Sequence, residues 1–156
     1  MIHEIRPATI EDSFFVAKHL QADDRNELLG WGLDPIIALP ASFYNSDAPI
    51  TFLIKDQICG MAGVSRTDAH SGSIWMLTTD YLRPYPKLFF KEAKKWVDQQ
   101  TSYDMLHNIA DPRNRMHMKL LHLLGFKRLR YVPIGPQNLT YVEFAKLTSC
   151  VSQPPP

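Results

Sequence analysis

The chain has 156 residues, of which 45% are hydrophobic, and this is enough for the core of one globular domain. Its 17 basic and 16 acidic side chains leave a formal charge of +1, which argues against nucleic acid or an anionic membrane as a partner. No apolar run approaches the roughly 20 residues that cross a bilayer, and the N-terminal segment lacks the apolar stretch of a secretory signal. We therefore predict one cytoplasmic domain that contacts neither membrane nor nucleic acid.

The first third of the chain predicts a short strand followed by two helices. The segment "HEIRPA" is typical of a strand that ends at Pro7. Thr9 is placed to cap a helix through "EDSFFVAKHLQA", with Asp12 as its capping-box partner. The segment "DDRNELLGWG" starts with capping residues and ends in glycine, which indicates a second, short helix. Leu33 to Pro49 is rich in Pro, Ser and Asn, and it predicts irregular structure.

The middle of the chain predicts three strands, a helix and a fourth strand. The segment "ITFLIKDQICGMAGVSR" contains two β-type runs joined by Lys-Asp-Gln, and this pattern indicates a hairpin. The apolar run "GSIWMLTTD" predicts a central strand. Pro86 suits the first position of a helix through "KLFFKEAKKWVDQQ". This helix is expected to have one apolar stripe, which comprises Phe89, Ala93, Trp96 and Val97. The segment "DMLHNIA" follows it and predicts a strand.

The last third predicts a helix and a pair of strands. The segment "NRMHMKLLHLLGF" is expected to form a helix from Asn114 to Gly125, with Met116, Leu120, Leu123 and Leu124 facing the core. "FKRLRYV" and "TYVEFAKL" predict the strand pair, and "SCVSQPPP" predicts a disordered tail. The order β-α-α-β-β-β-α-β-α-β-β predicts an α/β (α+β) fold with a mixed, mostly antiparallel central sheet and helices on both faces. We expect a single domain over 1–148 and a tail over 149–156.

Three of these segments resemble parts of the GCN5-related N-acetyltransferase (GNAT) superfamily. "IRPATIEDSFFVAKHL" resembles its first strand and helix, and "LIKDQICGMAGVSR" resembles its hairpin. "NRMHMKLLHLLGF" is similar to the family's motif B, with Asn114, Gly125 and Phe126 at the matching spacing. The resemblance covers Ile5 to Leu147, nearly the whole chain. Structurally, the same motif is also explained by an Asn cap and a glycine that ends the helix.

The resemblance implies acetyl-CoA as cosubstrate and an amine, on a small molecule or protein, as acceptor. The pantetheine arm would bind where the strands containing "IWMLTT" and "LHNIA" splay apart, along Met76, Leu77, Thr78 and Thr79. Asn114 would hydrogen-bond pantetheine or fix the turn from strand to helix. The bound amine would attack the thioester directly, with backbone amides of the "MLT" segment polarising the carbonyl.

The loop that would hold the diphosphate departs from the family pattern. That pattern is usually glycine-rich because only glycine lets backbone amides approach phosphate closely. Here "TTDYLRPYPKLFF" contains no glycine, and Pro84 and Pro86 each lack an N–H donor. Asp80 would repel a diphosphate, whereas Arg83 and Lys87 could bind it through their side chains. The two basic residues could equally be solvated surface charges.

The catalytic position departs from the family as well. Many members have a tyrosine seven residues after the motif B asparagine, as general acid for the CoA thiolate, and here that residue is Leu121. His107 is the candidate general base, since its usual pKa suits proton transfer from an amine. The alternative is a strand histidine with a satisfied hydrogen bond. No metal site is predicted, because His117 and His122 are five residues apart and do not share a helix face.

Two further groups of residues, the cysteines and the tryptophans, are expected to be structural. Cys59 is expected to be a small core residue, and Cys150 to be reduced, because two cysteines cannot form a disulfide framework. Trp31, Trp75 and Trp96 are expected to anchor the core.

Two functions remain open from the sequence. One is an acetyl-CoA-dependent N-acyltransferase; the other is a GNAT-fold protein that has lost catalysis and serves as a structural or interaction component. Longer segments, including "LHNIADPRNRMHMKLLHLLGF", resemble the GNAT-like internal virion proteins of short-tailed phages. That resemblance implies a phage origin, the host cytoplasm or the virion as location, and virion or host proteins as partners. The last strands also permit a homodimer.

Overall fold

The computed structural model describes residues 2–148, so the predicted tail, with Cys150, lies outside the described residues. Within that range the chain forms seven strands and five α-helices. In chain order these are β1 His3–Pro7, α1 Ile10–Lys18, α2 Ala22–Gly30, α3 Pro35–Asn45, β2 Asp47–Ile54, β3 Gln57–Arg66, β4 Ser71–Thr78, a 3₁₀ turn at Asp80–Leu82, α4 Pro86–Asp98, β5 Met105–Ala110, α5 Arg115–Leu123, β6 Lys127–Ile134 and β7 Leu139–Leu147.

The strands form one sheet in the order β1-β2-β3-β4-β5-β7-β6. Within the described residues β4 and β5 are the only neighbouring strands that run parallel, and every other neighbouring pair is antiparallel. The prediction of a mixed, mostly antiparallel sheet is confirmed. The parallel pair is joined by the crossover through α4, since two parallel strands cannot be connected by a tight turn.

Helices cover both faces of the sheet, as predicted. On one face, side chains of α4 and α5 pack against the sheet in the larger core cluster. Of the predicted stripe, Ala93, Trp96 and Val97 are buried there and Phe89 is partly buried. On the other face, α1 and α3 pack against Met61 and Leu77 of β3 and β4. The two faces therefore have separate cores, and the gap between β4 and β5 lies between them.

The start of α1 confirms the predicted capping box. The Asp12 N–H donates to the Thr9 hydroxyl, and the Asp12 carboxylate accepts from the Thr9 N–H. Asp12 also accepts two hydrogen bonds from Arg6 of β1 and one from the hydroxyl of Thr51 of β2. The carboxylate therefore ties the first helix to two strands of the sheet.

The prediction of irregular structure from Leu33 to Pro49 is wrong, because most of this segment is helix α3. Asp34 caps the helix by accepting from the N–H of Ile36, and Pro35 occupies the first turn, where its missing N–H costs nothing. Leu39 is fully buried in the cluster that it forms with side chains of α1, β3 and β4. Burial of this apolar face outweighs the cost of Pro40 inside the helix, and composition does not reveal that burial.

Helix α5 begins and ends as predicted, but its inward face differs. Gly125 has φ +93°, and the Phe126 N–H donates to the Leu121 carbonyl over 2.9 Å, which closes the helix in a Schellman arrangement. Met116 and Leu123, expected in the core, are 67% and 49% exposed. Leu124 is buried and Leu120 is partly buried, as predicted, and Met118 and Leu121 are buried in place of Met116 and Leu123.

Candidate active site

The parallel strands β4 and β5 pair over one short stretch and then separate. Ser71–Ser73 pair with Met105–His107, and no pair follows along the described remainder of β5. Just beyond the last pair, the side-chain amide of Asn108 donates to the carbonyl of Ile74 and bridges the widening gap. A cavity of about 590 Å³ opens there, a volume typical of small-molecule sites. The predicted splay is therefore present, between the predicted strands.

The direction of the backbone groups on β4 shows which residue faces this gap. The N–H of Thr79 bonds the Cys59 carbonyl of β3, whereas the N–H of Thr78 points the opposite way and donates to Asp24. Because successive residues of a strand point to opposite edges, Ile74, Met76 and Thr78 share one direction. Ile74 and Thr78 have partners on that edge. The backbone N–H and C=O of Met76 face the cavity.

The cavity continues through the sheet and has walls on both faces. On the α2 and α3 side the wall includes Trp31, Ile37, Ala38 and Trp75. On the α5 side it consists mainly of apolar side chains, which are Leu120, Leu121, Leu124, Phe126 and Phe144. Trp31 and Trp75 were predicted to be core anchors; both are only half-buried and line the cavity, whereas Trp96 is buried as predicted.

The charged residues that line the cavity, within the described chain, are Glu27, Asp34 and His117. Glu27 is buried, accepts from the N–H of Asp111 over 2.6 Å, and lies 3.1 and 3.2 Å from Nδ1 of His117. Burial opposes protonation of His117, but the hydrogen bond that His117 donates to Glu27 and the charges of Glu27 and Asp24 outweigh it and raise the pKa of His117. The cavity therefore contains a histidine whose pKa is held above its ordinary value.

A second carboxylate of α2 closes the wide end of the gap. Asp24 accepts from the N–H and the hydroxyl of Thr78, each over 3.0 Å, and from the side-chain amide of Asn114 over 3.3 Å. Burial raises the pKa of the Asp24 carboxyl, since it outweighs the nearby His117 charge and the Thr78 hydrogen bonds. Two residues predicted to bind cofactor, Thr78 and Asn114, therefore already have an internal partner.

The other predicted cofactor residues differ in position. Leu77 lines the cavity with its side chain. Thr79 is fully buried, and its N–H and hydroxyl bond the carbonyls of Cys59 and Ile58 in β3, away from the gap. Arg83 is exposed and paired with Asp80 over 3.2 Å, and Lys87 is exposed in the first turn of α4.

Asn114 and His107 occupy contrasting positions. Asn114 caps α5, since its side-chain oxygen accepts from the N–H of His117 over 3.2 Å. His107 lies at the paired, closed end of the gap, with Nε2 3.1 Å from the Thr67 hydroxyl, and it does not line the cavity. Its catalytic role stays a prediction. Cys59 is buried, as expected of a small core residue.

Sequence reasoning missed Asp24, Glu27 and His117 as parts of one site. The three-residue spacing of Asp24 and Glu27 places both carboxylates on one face of α2, and His117 precedes Leu121 by one helical turn. These spacings are visible in the sequence, but the contact across some 90 residues is visible only in the fold. No cluster of three or more metal-ligating side chains occurs among residues 2–148.

No protein-family model matches the sequence, and no curated protein matches it. Solved structures do match. A spermidine N-acetyltransferase from Vibrio cholerae, in complex with CoA and spermine, is 12% identical over 97% of this chain and 98% of its own, with a TM-score of 0.70. A GNAT-family acetyltransferase from Bacillus anthracis is 13% identical over 94% and 95% of the two chains, with a TM-score of 0.69.

The aminoglycoside acetyltransferase AAC(6')-Ib, in complex with coenzyme A, is 16% identical over 94% of this chain and 95% of its own, with a TM-score of 0.66. Together these matches show that the chain has the fold of the GNAT acetyltransferases. None of the helices between residues 2 and 148 is long and apolar enough to span a membrane.

Proposed function

We propose that the protein is an N-acyltransferase that transfers an acetyl group from acetyl-CoA to an amine. The observation that carries the proposal is the cavity through the β4–β5 gap, with the backbone of Met76 facing it. The fold supports it, since structures of this fold include a spermidine N-acetyltransferase with CoA and spermine and an aminoglycoside acetyltransferase with coenzyme A. These ligands are bound by those proteins. For this chain we propose ligands of the same two classes, a CoA thioester and an amine.

The chain's own residues fit the pantetheine arm and the acyl group. An extended arm can hydrogen-bond the open edge of β4 at Met76 as an added strand would. The Met76 N–H would then donate to the acyl oxygen, where negative charge develops as the amine attacks. Asn114 is placed to supply a further donor if its amide exchanges Asp24 for the ligand. Acetyl-CoA supplies the activated acyl group when bound.

The fit to the diphosphate is poorer and depends on side chains. The first turn of α4 offers few backbone donors, because Pro84 and Pro86 lack an N–H. Arg83 and Lys87 are exposed there, and each could turn toward an anion. The Asp24 carboxylate at the end of β4 opposes a second negative group. We therefore expect the arm to contribute more to affinity than the diphosphate.

The cavity also indicates which amines could serve as acceptors. Its walls on the α2 and α3 side are apolar and aromatic, and its charged lining comprises two carboxylates and a histidine. An amine on an apolar body would bury its body against Trp31 and Trp75 and keep its nitrogen near Glu27. Amines that carry an anionic group would be rejected. Once the nitrogen loses its proton, it can attack the thioester directly.

The first experiment is a thermal-shift titration with acetyl-CoA, CoA and pantetheine. A ligand at 100 times its Kd adds about 2.7 kcal/mol to stability, which corresponds to roughly 5–10 °C for a domain of this size. Saturable shifts with acetyl-CoA and CoA support the proposal, and release of free thiol with a panel of apolar amines then identifies acceptors. A flat response at millimolar ligand overturns it.

A protein that has lost catalysis is the second candidate, and one observation favours it. Asp24 accepts hydrogen bonds from the Thr78 N–H and the Asn114 amide, the two groups that the resemblance assigns to cofactor binding. In addition, Leu121 has no proton to donate. Such a protein would act through binding, and the resemblance to internal virion proteins suggests virion or host proteins as partners and the host cytoplasm or virion as location. Phage origin stays a prediction. Co-purification from infected cells would test it.

A homodimer through the last strands also remains part of the proposal. Strand β6 forms one of the two edges of the sheet. Its side chains Leu129 and Tyr131 are more than half exposed. Exposed apolar side chains on an edge strand are typical of a surface that pairs with another chain. Sedimentation of the wild type and of the Leu129→Lys variant would test this, since the proposal expects a dimer that the variant disrupts.

A further inference from the structure

We propose that His117, held by Glu27, is the proton-transferring residue of this site. The inference rests on the proposed function. It starts from two contacts: Nδ1 of His117 donates to the Glu27 carboxylate over 3.1 Å, and both side chains line the cavity. Glu27 is fixed in turn by the N–H of Asp111. The pair therefore holds the imidazole in one orientation and one tautomer.

The other ring nitrogen of His117 is available to a ligand. Within residues 2–148 no group bonds Nε2, and every buried side-chain nitrogen or oxygen in that range has a hydrogen-bond partner. Nε2 is therefore accessible, in agreement with the 21% exposure of the side chain. Since Met76 faces the same cavity, an acyl thioester held by the Met76 N–H would share it with Nε2.

His117 also lies one helical turn before Leu121, on the same face of α5. Leu121 cannot donate a proton, so a donor in this region must come from a neighbouring position. His117 is the titratable side chain of α5 that lines the cavity. His117 can therefore donate the proton that Leu121 is unable to donate.

The proton balance of the reaction suits an imidazole with one free nitrogen. As the amine nitrogen bonds the acyl carbon and the carbon–sulfur bond breaks, the sulfur leaves with its electron pair. The His117 imidazolium donates the Nε2 proton to that sulfur and becomes neutral. Neutral Nε2 then accepts the proton that the acylated nitrogen loses. The products are an amide and CoA thiol, and His117 returns to its initial charge.

The charged surroundings of His117 favour the protonated form that the donating step needs. Asp24 and Glu27 of α2 face it, and both charges raise its pKa. Beyond Glu27, the Asp111 carboxylate at the end of β5 is neutralised by Arg113 over 2.6 Å. From β7, Tyr141 donates to the carbonyl of Glu27, and Phe144 packs edge-on to the imidazole.

The test compares CoA, whose thiol can ionise, with acetyl-CoA, which has no thiol. If Nε2 reaches the sulfur, CoA thiolate pairs with the imidazolium, and CoA should bind about ten-fold tighter relative to acetyl-CoA near pH 8. At pH 6 the thiol is protonated and the preference should fall. His117→Gln should lose the preference at both pH values, and Lys119→Gln, on the exposed side of α5, should keep it.

A second measurement needs no variant. The pKa of His117, followed by NMR of the imidazole nitrogens, should be higher in the CoA complex than in the acetyl-CoA complex. Glu27→Gln should lower this pKa in the free protein. Equal pKa values in the two complexes, or an unchanged CoA preference in His117→Gln, would overturn the inference. If the protein still binds acetyl-CoA in that case, the proposed function is unaffected. If the wild type binds neither ligand, the proposed function fails, and the inference fails with it.

Discussion

Asp24 and Thr78 are joined by two hydrogen bonds of 3.0 Å, one to the N–H and one to the hydroxyl of the threonine. This relationship connects α2 to the end of β4 at the point where the sheet opens. It leaves the mouth of the gap closed by a carboxylate. The same carboxylate reaches Asn114 of α5, so one side chain spans both sides of the opening. Asp24 therefore connects α2 with β4 and α5 through hydrogen bonds, and its negative charge repels an anionic ligand at the gap.

Replacing Asp24 with alanine should destabilise the fold, because the buried Thr78 N–H would lose its partner. We expect a loss of about 1–3 kcal/mol in the free energy of unfolding, measured by urea denaturation at pH 7. Asp23→Ala is the matched control, since Asp23 is exposed on the same helix, and it should change stability by less than about 0.5 kcal/mol. Equal effects of the two substitutions would contradict this role for Asp24.

Asp24→Asn should tighten CoA binding. The asparagine keeps the size and one acceptor oxygen of the side chain but removes the charge that opposes a diphosphate. We expect the Kd for CoA, measured by calorimetry at low salt, to fall by roughly 3- to 10-fold. The Kd for pantetheine, which has no diphosphate, should change little. A Kd for CoA that rises in Asp24→Asn would show that the carboxylate assists binding.

Asn114 can be tested for capping and ligand binding separately. Asn114→Ala removes the side-chain oxygen that caps α5 and should cost about 1 kcal/mol. Asn114→Ser keeps a capping oxygen but loses the amide donor, so stability should largely return while CoA affinity stays reduced. Thermal unfolding and CoA titration of both variants measure the two effects. Wild-type affinity in both variants would remove Asn114 from the proposed site.

The Asp12 cluster should make stability depend on pH in the acid range. Burial would raise the pKa of Asp12, but hydrogen bonds from Arg6, Thr9 and Thr51 outweigh it and lower this pKa. Because the folded pKa is depressed, the stabilisation is complete above the unfolded pKa of about 3.9. It is lost as pH falls through the folded value below that.

The corresponding experiment is Asp12→Asn, compared with Glu11→Gln at an exposed position of the same turn. At pH 7 we expect Asp12→Asn to cost about 3 kcal/mol, since Arg6 loses its charged partner. Near pH 2.5 the difference from wild type should be smaller, because a larger fraction of the wild-type carboxyl is protonated there than at pH 7. Urea denaturation at both pH values gives the comparison, and a cost that is the same at both would refute the linkage.

Ala38→Phe should block the acceptor side of the cavity and leave CoA binding intact. Ala38 lines the wall formed by α3, and a benzyl group there would occupy space proposed for the amine's apolar body. We expect kcat/KM for an apolar amine to fall at least ten-fold, roughly 1.4 kcal/mol, with the Kd for CoA unchanged. Ala69→Phe, at an exposed loop position, is the control. Equal loss in both variants would place the acceptor elsewhere.

Local sequence signals predicted much of the fold because they act within a few residues. The Thr9–Asp12 capping box, Pro86 at the start of α4 and Gly125 at the end of α5 each determine a helix boundary through short-range geometry. Leu33 to Pro49 was misread for the opposite reason. Its helix is stabilised by burial of Leu39 in the cluster with side chains of α1, β3 and β4, and composition does not encode that burial.

The sequence alone predicted the order of strands and helices except for α3, the position of the splayed strands and the helix-capping role of Asn114. Only the tertiary structure decided what lies in the gap. Asp24 and Glu27 meet Thr78, Asn114 and His117 because α2 packs across the ends of β4 and β5. Hydrogen bonds between residues 54 to 90 positions apart depend on the sheet's topology, and no local pattern specifies them. The chemistry of the site is therefore a property of the packing.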